Sequence, residues 1–213
     1  MDYVSSRTQL RELLGPAFVD VVEPPARLSW RNVDLPALRP EQEQALLAWR
    51  EAKGRGVVVM PTGTGKTEVA LAAMVRSRVS TLVVAPVRDL MYQWHQRILR
   101  GLGHDAGIVG DSLFNLKPVT VTTYDSAYLH MAEMGSRFGL IIFDEVHHLP
   151  GRSYRDAAVL CAAPFRLGLT ATPHRSDGRE ADLNDLVGPI VFRQEIAEAR
   201  GRTLADYDVV RAR

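Results

Sequence analysis

Cysteine is almost absent: one residue in 213, Cys161. A lone thiol closes no internal disulfide, which excludes a disulfide-stapled scaffold and suits a reducing compartment. No apolar run approaches the roughly 20 residues that a membrane span needs. The amino-terminal MDYVSSRTQL has no apolar signal core either. The expected location is cytoplasmic, or nuclear in a eukaryote. Neither sign of charge is in excess, since 26 basic and 25 acidic side chains leave a net +1. That balance excludes a large basic face, so any contact with a polyanion must be local. Internal repeats and low-complexity tracts are missing. So is metal-ligand spacing: His147 and His148 are adjacent, but no second His or Cys pair answers them, and Cys161 stands too far off.

What is present is strand–helix alternation. Residues 1–34 lack a sustained period. They contain the Pro-Pro of VEPPARL (Val22–Leu28) and one short helical pattern over Arg7–Leu14. They read as an N-terminal extension or linker, and residues 35–213 as one domain. Strands are expected over Val57–Met60, Thr81–Ala85, Val119–Thr123, Leu140–Asp144, Arg166–Thr170 and Ile190–Arg193. Helices are expected over Glu41–Lys53, Lys66–Arg76, Asp89–Leu99, Ser126–Met134, Tyr154–Cys161 and Asp182–Leu186. Runs such as TLVVA and LIIF are apolar on both faces, as buried parallel strands require. The fold class is therefore α/β, a mostly parallel sheet with helices on both faces.

Three short segments carry chemistry. In MPTGTGKT (Met60–Thr67) a turn joins a strand to a helix. Gly63 and Gly65 lack Cβ, so backbone N–H groups around Thr62, Gly63, Thr64 and Gly65 can close on phosphate oxygens. The helix N-terminus adds positive potential. Lys66 reaches the β- and γ-phosphates, and the Thr67 hydroxyl can ligate Mg²⁺. Met60 stands where the strict motif has its first glycine. Asp144 and Glu145 end an apolar strand at the carboxyl edge, where open α/β sheets bind ligands. Asp144 suits Mg²⁺, and Glu145 suits the attacking water. The same pair could also be a solvated strand end or a helix cap. Their strand is expected beside that of the phosphate loop. His147 is placed to bridge the metal site to Thr170-Ala171-Thr172, whose hydroxyls can span a narrow gap. His148 reads equally as a packed or exposed spacer.

The order Lys66-Thr67, Asp144-Glu145-Val146-His147, Thr170-Ala171-Thr172 resembles the first RecA-like motor domain of superfamily 2 helicases, a P-loop NTPase fold that tolerates the missing glycine. LRPEQEQAL, APVRDLMYQW, DEVHHLP, LTATPHRSDGR and LVGPIVFR resemble the XPB-type DNA-repair helicases over Leu35–Arg213. The resemblance implies an ATP- and Mg²⁺-dependent DNA helicase or translocase. It places Gln42 on the adenine edge and Arg39 beside the base. Lys66, Asp144 and Glu145 become catalytic, and His147, Thr170 and Thr172 couple the site to motion. Pro86, Arg88, Gln93 and Trp94 fall in one strand-contacting segment, and Thr122, Thr123 and Tyr124 in another. Arg88, Thr122, Thr123 and Arg175 are the expected phosphate contacts, weak and sequence-independent. Trp94, spaced with Leu90 and Ile98, reads as core rather than as a stacking platform. Archaeal XPB-type helicases carry Arg-Glu-Asp where this chain has Arg175-Ser176-Asp177: Arg175 and Asp177 match and Ser176 replaces Glu, so the resemblance implies translocation and leaves open whether this variant supports unwinding. No second set of motor motifs follows. A second RecA-like domain, in cis or trans, is expected to complete the ATP site, leaving this chain alone weakly active. Two other readings share these motifs: the motor of a restriction or remodelling double-stranded DNA translocase, and a standalone ATP- or nucleic-acid-binding module.

Overall fold

In the computed structural model, residues 25–30, 32–149, 154–172 and 180–195 are described, with isolated positions 9, 12 and 13. The expected helix over Arg7–Leu14 therefore lies outside the described residues except at those three positions.

The central strands form from short apolar runs whose side chains are covered on both faces. The strands are β1 (Arg55–Val59), β2 (Thr81–Ala85), β3 (Gly107–Gly110), β4 (Leu113–Asn115), β5 (Val119–Thr123), β6 (Leu140–Asp144), β7 (Phe165–Thr170) and β8 (Ile190–Arg193). They make one sheet in the order β4-β3-β5-β2-β6-β7-β1-β8. Every neighbour pair is parallel except β3 with β4. Six strands lie where the sequence places them, four with the same bounds.

The helices are α1 (Pro40–Glu51), α2 (Lys66–Ser77), α3 (Arg88–Leu102), α4 (Tyr124–Met134), α5 (Arg155–Val159) and α6 (Glu180–Leu186). Pro40 opens α1, where a missing N–H costs nothing. Lys53 and Gly54, both at positive φ (57° and 76°), stop it and turn the chain into β1. Along α3 the buried side chains Met91, Trp94, Ile98 and Leu102 recur every three or four residues, forming one apolar face.

One core lies between the sheet and α1, α2 and α3, built on Leu46, Leu71, Met91 and Trp94. The other lies beneath α4, α5 and α6, built on Tyr124, Met131, Phe143 and Leu186. Part of the segment preceding residue 35 is bonded to this body: the Leu28 and Asp34 amides donate to the Arg78 and Gly101 carbonyls at 2.9 and 2.8 Å. No described helix is long and apolar enough to cross a membrane.

Two features differ from expectation. The β3–β4 hairpin was unmarked, because its strands are short and β4 is exposed along its length. Its turn uses Asp111 and Ser112 at positive φ (51° and 62°), rather than the Asn-Gly or Asp-Gly that signals such a turn. Secondly, β6 is not beside β1. β7 lies between them, so the Asp144-Glu145 and phosphate-loop strands are two positions apart, roughly 9–10 Å at sheet spacing. A parallel order is set by crossovers, which leave no local trace in sequence.

Candidate active site

Strand register brings the expected motifs to one edge. Val59 pairs with Thr170, Leu169 with Asp144, and Ala85 with Thr123. The loop after β1, the Asp144 end of β6, the Thr170 end of β7 and the starts of α3 and α4 thus share the carboxyl edge of the sheet.

The phosphate loop leaves β1 at Met60, whose amide donates to the Thr170 carbonyl at 3.0 Å. Gly63 and Gly65 adopt φ of 82° and 78°. This left-handed backbone is open to glycine and strained for other residues. The Thr64 hydroxyl donates to the Pro61 carbonyl at 2.6 Å and closes the turn. Thr62 and Gly63 are exposed at its tip, and half-buried Thr67 is the second residue of α2. The Lys66 ammonium donates to the Met60 carbonyl at 3.1 Å and sits 3.9 Å from Glu145 Oε1. Burial lowers its pKa, while Glu145 and Asp144 pull it back up. A long side chain spans the gap left by β7, so the separation of the two strands does not separate their charges.

Arg39 and Gln42 meet this loop. Gln42 is 2% exposed. Its amide nitrogen donates to the Thr64 and Gly65 carbonyls at 3.0 and 3.3 Å, and its oxygen accepts from the Arg39 amide at 2.9 Å. Arg39 donates to the Thr64 carbonyl and to Glu41. The Gln42 amide nitrogen is thus bonded to the loop backbone on the side of Thr64 and Gly65. Gln42 and Arg39 thus lie against the back of the loop, and their place beside the base belongs to the proposed nucleotide site.

Asp144 and Glu145 stand as expected at the end of β6. Glu145 adopts φ 47°, ψ 55°, a left-handed conformation costly for a side-chain-bearing residue and concentrated at functional sites. Asp144 Oδ1 accepts from the Glu145 amide at 3.1 Å, and Oδ2 accepts from the Trp94 indole N–H at 2.8 Å. Burial raises the Asp144 carboxyl above its usual range, and the Trp94 donor opposes that shift. The Tyr124 hydroxyl donates to the Asp144 carbonyl at 3.0 Å. His147 Nδ1 lies 3.4 Å from Glu145 Oε2 and 3.0 Å from the Thr170 hydroxyl. Thr170 in turn donates to the Thr172 carbonyl at 3.0 Å and accepts from the Thr172 amide at 3.2 Å. A continuous polar chain therefore runs Lys66–Glu145–His147–Thr170–Thr172. His148 is exposed and packs its ring 4.3 Å from that of His147.

Among the described residues no group of three or more His, Cys, Asp or Glu could by itself cage a metal. Mg²⁺ does not demand one, since it usually takes one or two protein oxygens, phosphates and waters. Asp144 and Thr67 match that donor set.

The expected phosphate contacts fare unevenly. Arg88, the first residue of α3, is exposed and paired with Asp111 of the hairpin turn at 3.0 Å. Tyr92 donates to the same carboxylate at 2.8 Å. Thr122 is fully buried and its hydroxyl donates to the Val109 carbonyl at 2.7 Å, so its side chain is turned into the sheet. Half-buried Thr123 caps α4, accepting from the Ser126 amide at 3.2 Å. Arg175, Ser176 and Asp177 lie outside the described residues. Trp94 is buried, as its spacing with Leu90 and Ile98 implies, but it is also a partner of Asp144. Periodicity reports the buried face of a helix and says nothing of where an indole N–H points.

Residues 35–175 match the family described as type III restriction enzyme, res subunit. The chain is 49% identical over 172 residues to a DNA 3'-5' translocase XPB2 of Sulfurisphaera tokodaii, a match covering 81% of this chain and 39% of the relative. A DNA 3'-5' helicase XPB of Kineococcus radiotolerans is 39% identical over 72% of this chain and 29% of its own length. The chain thus spans about two fifths or less of the curated relatives it matches. Among solved structures, the UvsW helicase of bacteriophage T4 superposes with a TM-score of 0.62 at 17% identity, covering 89% of this chain and 77% of that one. The SWI2/SNF2 ATPase core of Sulfolobus solfataricus in complex with dsDNA gives 0.61 at 18% identity over 76% of this chain and 38% of that one. These two likenesses show the RecA-like fold.

Proposed function

Since the chain belongs to the family described as type III restriction enzyme res subunit, and within superfamily 2 is an XPB-type first motor domain, we propose that it is the ATP-binding half of a DNA translocase or helicase serving DNA repair. The observation that carries this reading is the polar chain from Lys66 through Glu145 and His147 to Thr170, closed at distances of 3.9, 3.4 and 3.0 Å. It joins the phosphate loop, the acidic strand end and the next strand into one unit.

In this reading the loop amides from Thr62 to Gly65 and the Lys66 ammonium hold the β- and γ-phosphates of ATP. Thr67 and Asp144 hold Mg²⁺, which when bound neutralises phosphate charge. Glu145 orients the attacking water, its strained backbone aiming the carboxylate off the strand. His147 ties the state of Glu145 to Thr170 and Thr172, and so to whatever docks on that edge. Arg39 and Gln42, bonded to the loop backbone, lie on the adenine side of the nucleotide. DNA is contacted weakly and without sequence preference by Arg88, the backbone at Thr123, and Arg175. A second RecA-like domain closes the nucleotide site and supplies the arginine that stabilises transferred charge, a contribution of roughly 10³–10⁵ in rate in related phosphoryl transfer. The working compartment is the one that holds DNA, cytoplasmic in a prokaryote and nuclear in a eukaryote.

Titration of a fluorescent ATP analogue into wild type and Lys66→Ala, with and without Mg²⁺, tests the site. Wild type is expected to bind in a Mg²⁺-dependent way and Lys66→Ala far more weakly. Equal affinities would remove the phosphate loop from the account.

A further inference from the structure

Asp144 is held at three atoms. Oδ1 takes the Glu145 amide, the backbone carbonyl takes the Tyr124 hydroxyl, and Oδ2 takes the Trp94 indole N–H at 2.8 Å. The last contact joins distant parts of the chain, 50 residues apart. Trp94 is 3% exposed and belongs to the core formed with Met91, Ile98 and Leu102. Its ring is therefore fixed by packing, and its single N–H can donate along one direction only. A carboxylate offers about four acceptor positions. Two are taken by these donors, so the plane of the group is set while capacity for a cation and its waters remains.

We propose that Trp94 is a positioning residue for the metal carboxylate: its indole N–H fixes the rotation of the Asp144 side chain toward the Mg²⁺–nucleotide complex. This rests on the assignment of Asp144 to the metal made above. Donors bonded to metal-ligating groups orient them, and their loss typically lowers metal affinity roughly 10–100-fold. The location of Trp94 gives the contact a second consequence. It stands in the middle of α3, whose first residue is Arg88, and Tyr124 opens α4 directly after Thr123. Both helices that start at the proposed DNA edge thus end a hydrogen bond on Asp144. A shift of α3 on DNA contact moves the donor and with it the carboxylate.

The test is the Mg²⁺ dependence of nucleotide binding by the intact chain, comparing wild type with Trp94→Phe and with β-(3-benzothienyl)alanine at position 94. The second substitution keeps the bicyclic shape and exchanges the N–H for sulfur, so it preserves packing where phenylalanine could leave a cavity. Both variants are expected to bind the fluorescent ATP analogue as wild type does in EDTA. Both should need roughly tenfold more Mg²⁺ for half-saturation. In ¹⁵N-labelled wild type the Trp94 indole resonance is expected to move when Mg²⁺ joins a non-hydrolysable ATP analogue, while those of Trp30 and Trp49 stay in place. A benzothienyl variant with wild-type Mg²⁺ half-saturation, or a Trp94 resonance indifferent to Mg²⁺, overturns the proposal. Wild type that binds nucleotide equally with and without Mg²⁺ overturns the metal assignment itself, and this inference falls with it.

Discussion

Glu145 makes the clearest case at the residue scale. A left-handed φ of 47° at a residue with a side chain is retained against a cost of order 1–3 kcal/mol. Its carboxylate then faces both Lys66 and His147. Glu145→Gln keeps the shape and removes the charge proposed to orient water. In a fusion carrying both RecA-like halves, it should leave nucleotide affinity nearly unchanged and abolish steady-state turnover. Turnover at the wild-type rate would move the role to another residue. Gly65 permits a complementary experiment on the loop. Its φ of 78° and the nearness of the Gln42 amide to any added Cβ both oppose a larger residue. Gly65→Ala should therefore weaken nucleotide binding at least tenfold while leaving the far-UV spectrum unchanged, and unaltered binding would mean that the loop rebuilds freely.

At the scale of elements, β7 does more than its apolar pattern suggests. It separates β1 from β6, and it carries Arg166, which is fully buried. The guanidinium donates to the carbonyls of Ala158, Cys161, Ala163 and Leu186. It thereby ties the end of α5, the loop into β7 and the end of α6 to the sheet. Arg166→Met fills similar volume but leaves those acceptors without donors, at about 1–3 kcal/mol for each one stranded. Several are stranded together, so the urea midpoint should fall by an amount corresponding to about 3 kcal/mol or more. A loss below about 1 kcal/mol would show that the neighbouring backbone finds other partners. The His147–Thr170 bond links the same strand to the acidic loop. His147→Ala should preserve ATP binding and reduce DNA stimulation in the two-domain fusion, and stimulation equal to wild type would detach this chain of contacts from coupling.

The whole molecule is electrically almost neutral, with a net charge of +1. Arg88, the clearest cation on the proposed DNA edge, is already engaged by Asp111. Few phosphates are then neutralised, so the slope of log affinity against log salt should be shallow, about −1 to −3 for one to three contacts. A steep slope, or discrimination between unrelated sequences, would point to a larger basic surface than the charge balance provides. Turnover should stay slow in the isolated chain and become DNA-dependent when a second RecA-like domain is supplied. DNA-stimulated hydrolysis by the monomeric chain alone would contradict that division of labour.

Local chemistry was written in the sequence where each residue acts within its own segment. The glycines of the phosphate loop, the carboxylates ending an apolar strand and the apolar face of α3 all declare themselves through neighbours within a few positions. So did the bounds of β2 and β6, whose both-sided apolarity follows from burial in a parallel sheet, and those of β5 and β8, short β-branched runs between turn residues. Tertiary structure decided what depends on partners far along the chain. The insertion of β7 between β1 and β6 comes from crossover topology. The turning of Gln42 onto the phosphate loop comes from the packing of α1 beside α2. The burial of Thr122 comes from β3 pairing along β5, in a hairpin whose strands are too short to carry a period. The bond from Trp94 to Asp144 spans 50 residues. A helical period marks only which side of α3 is dry, and the direction of one indole N–H is fixed only once the ring is packed.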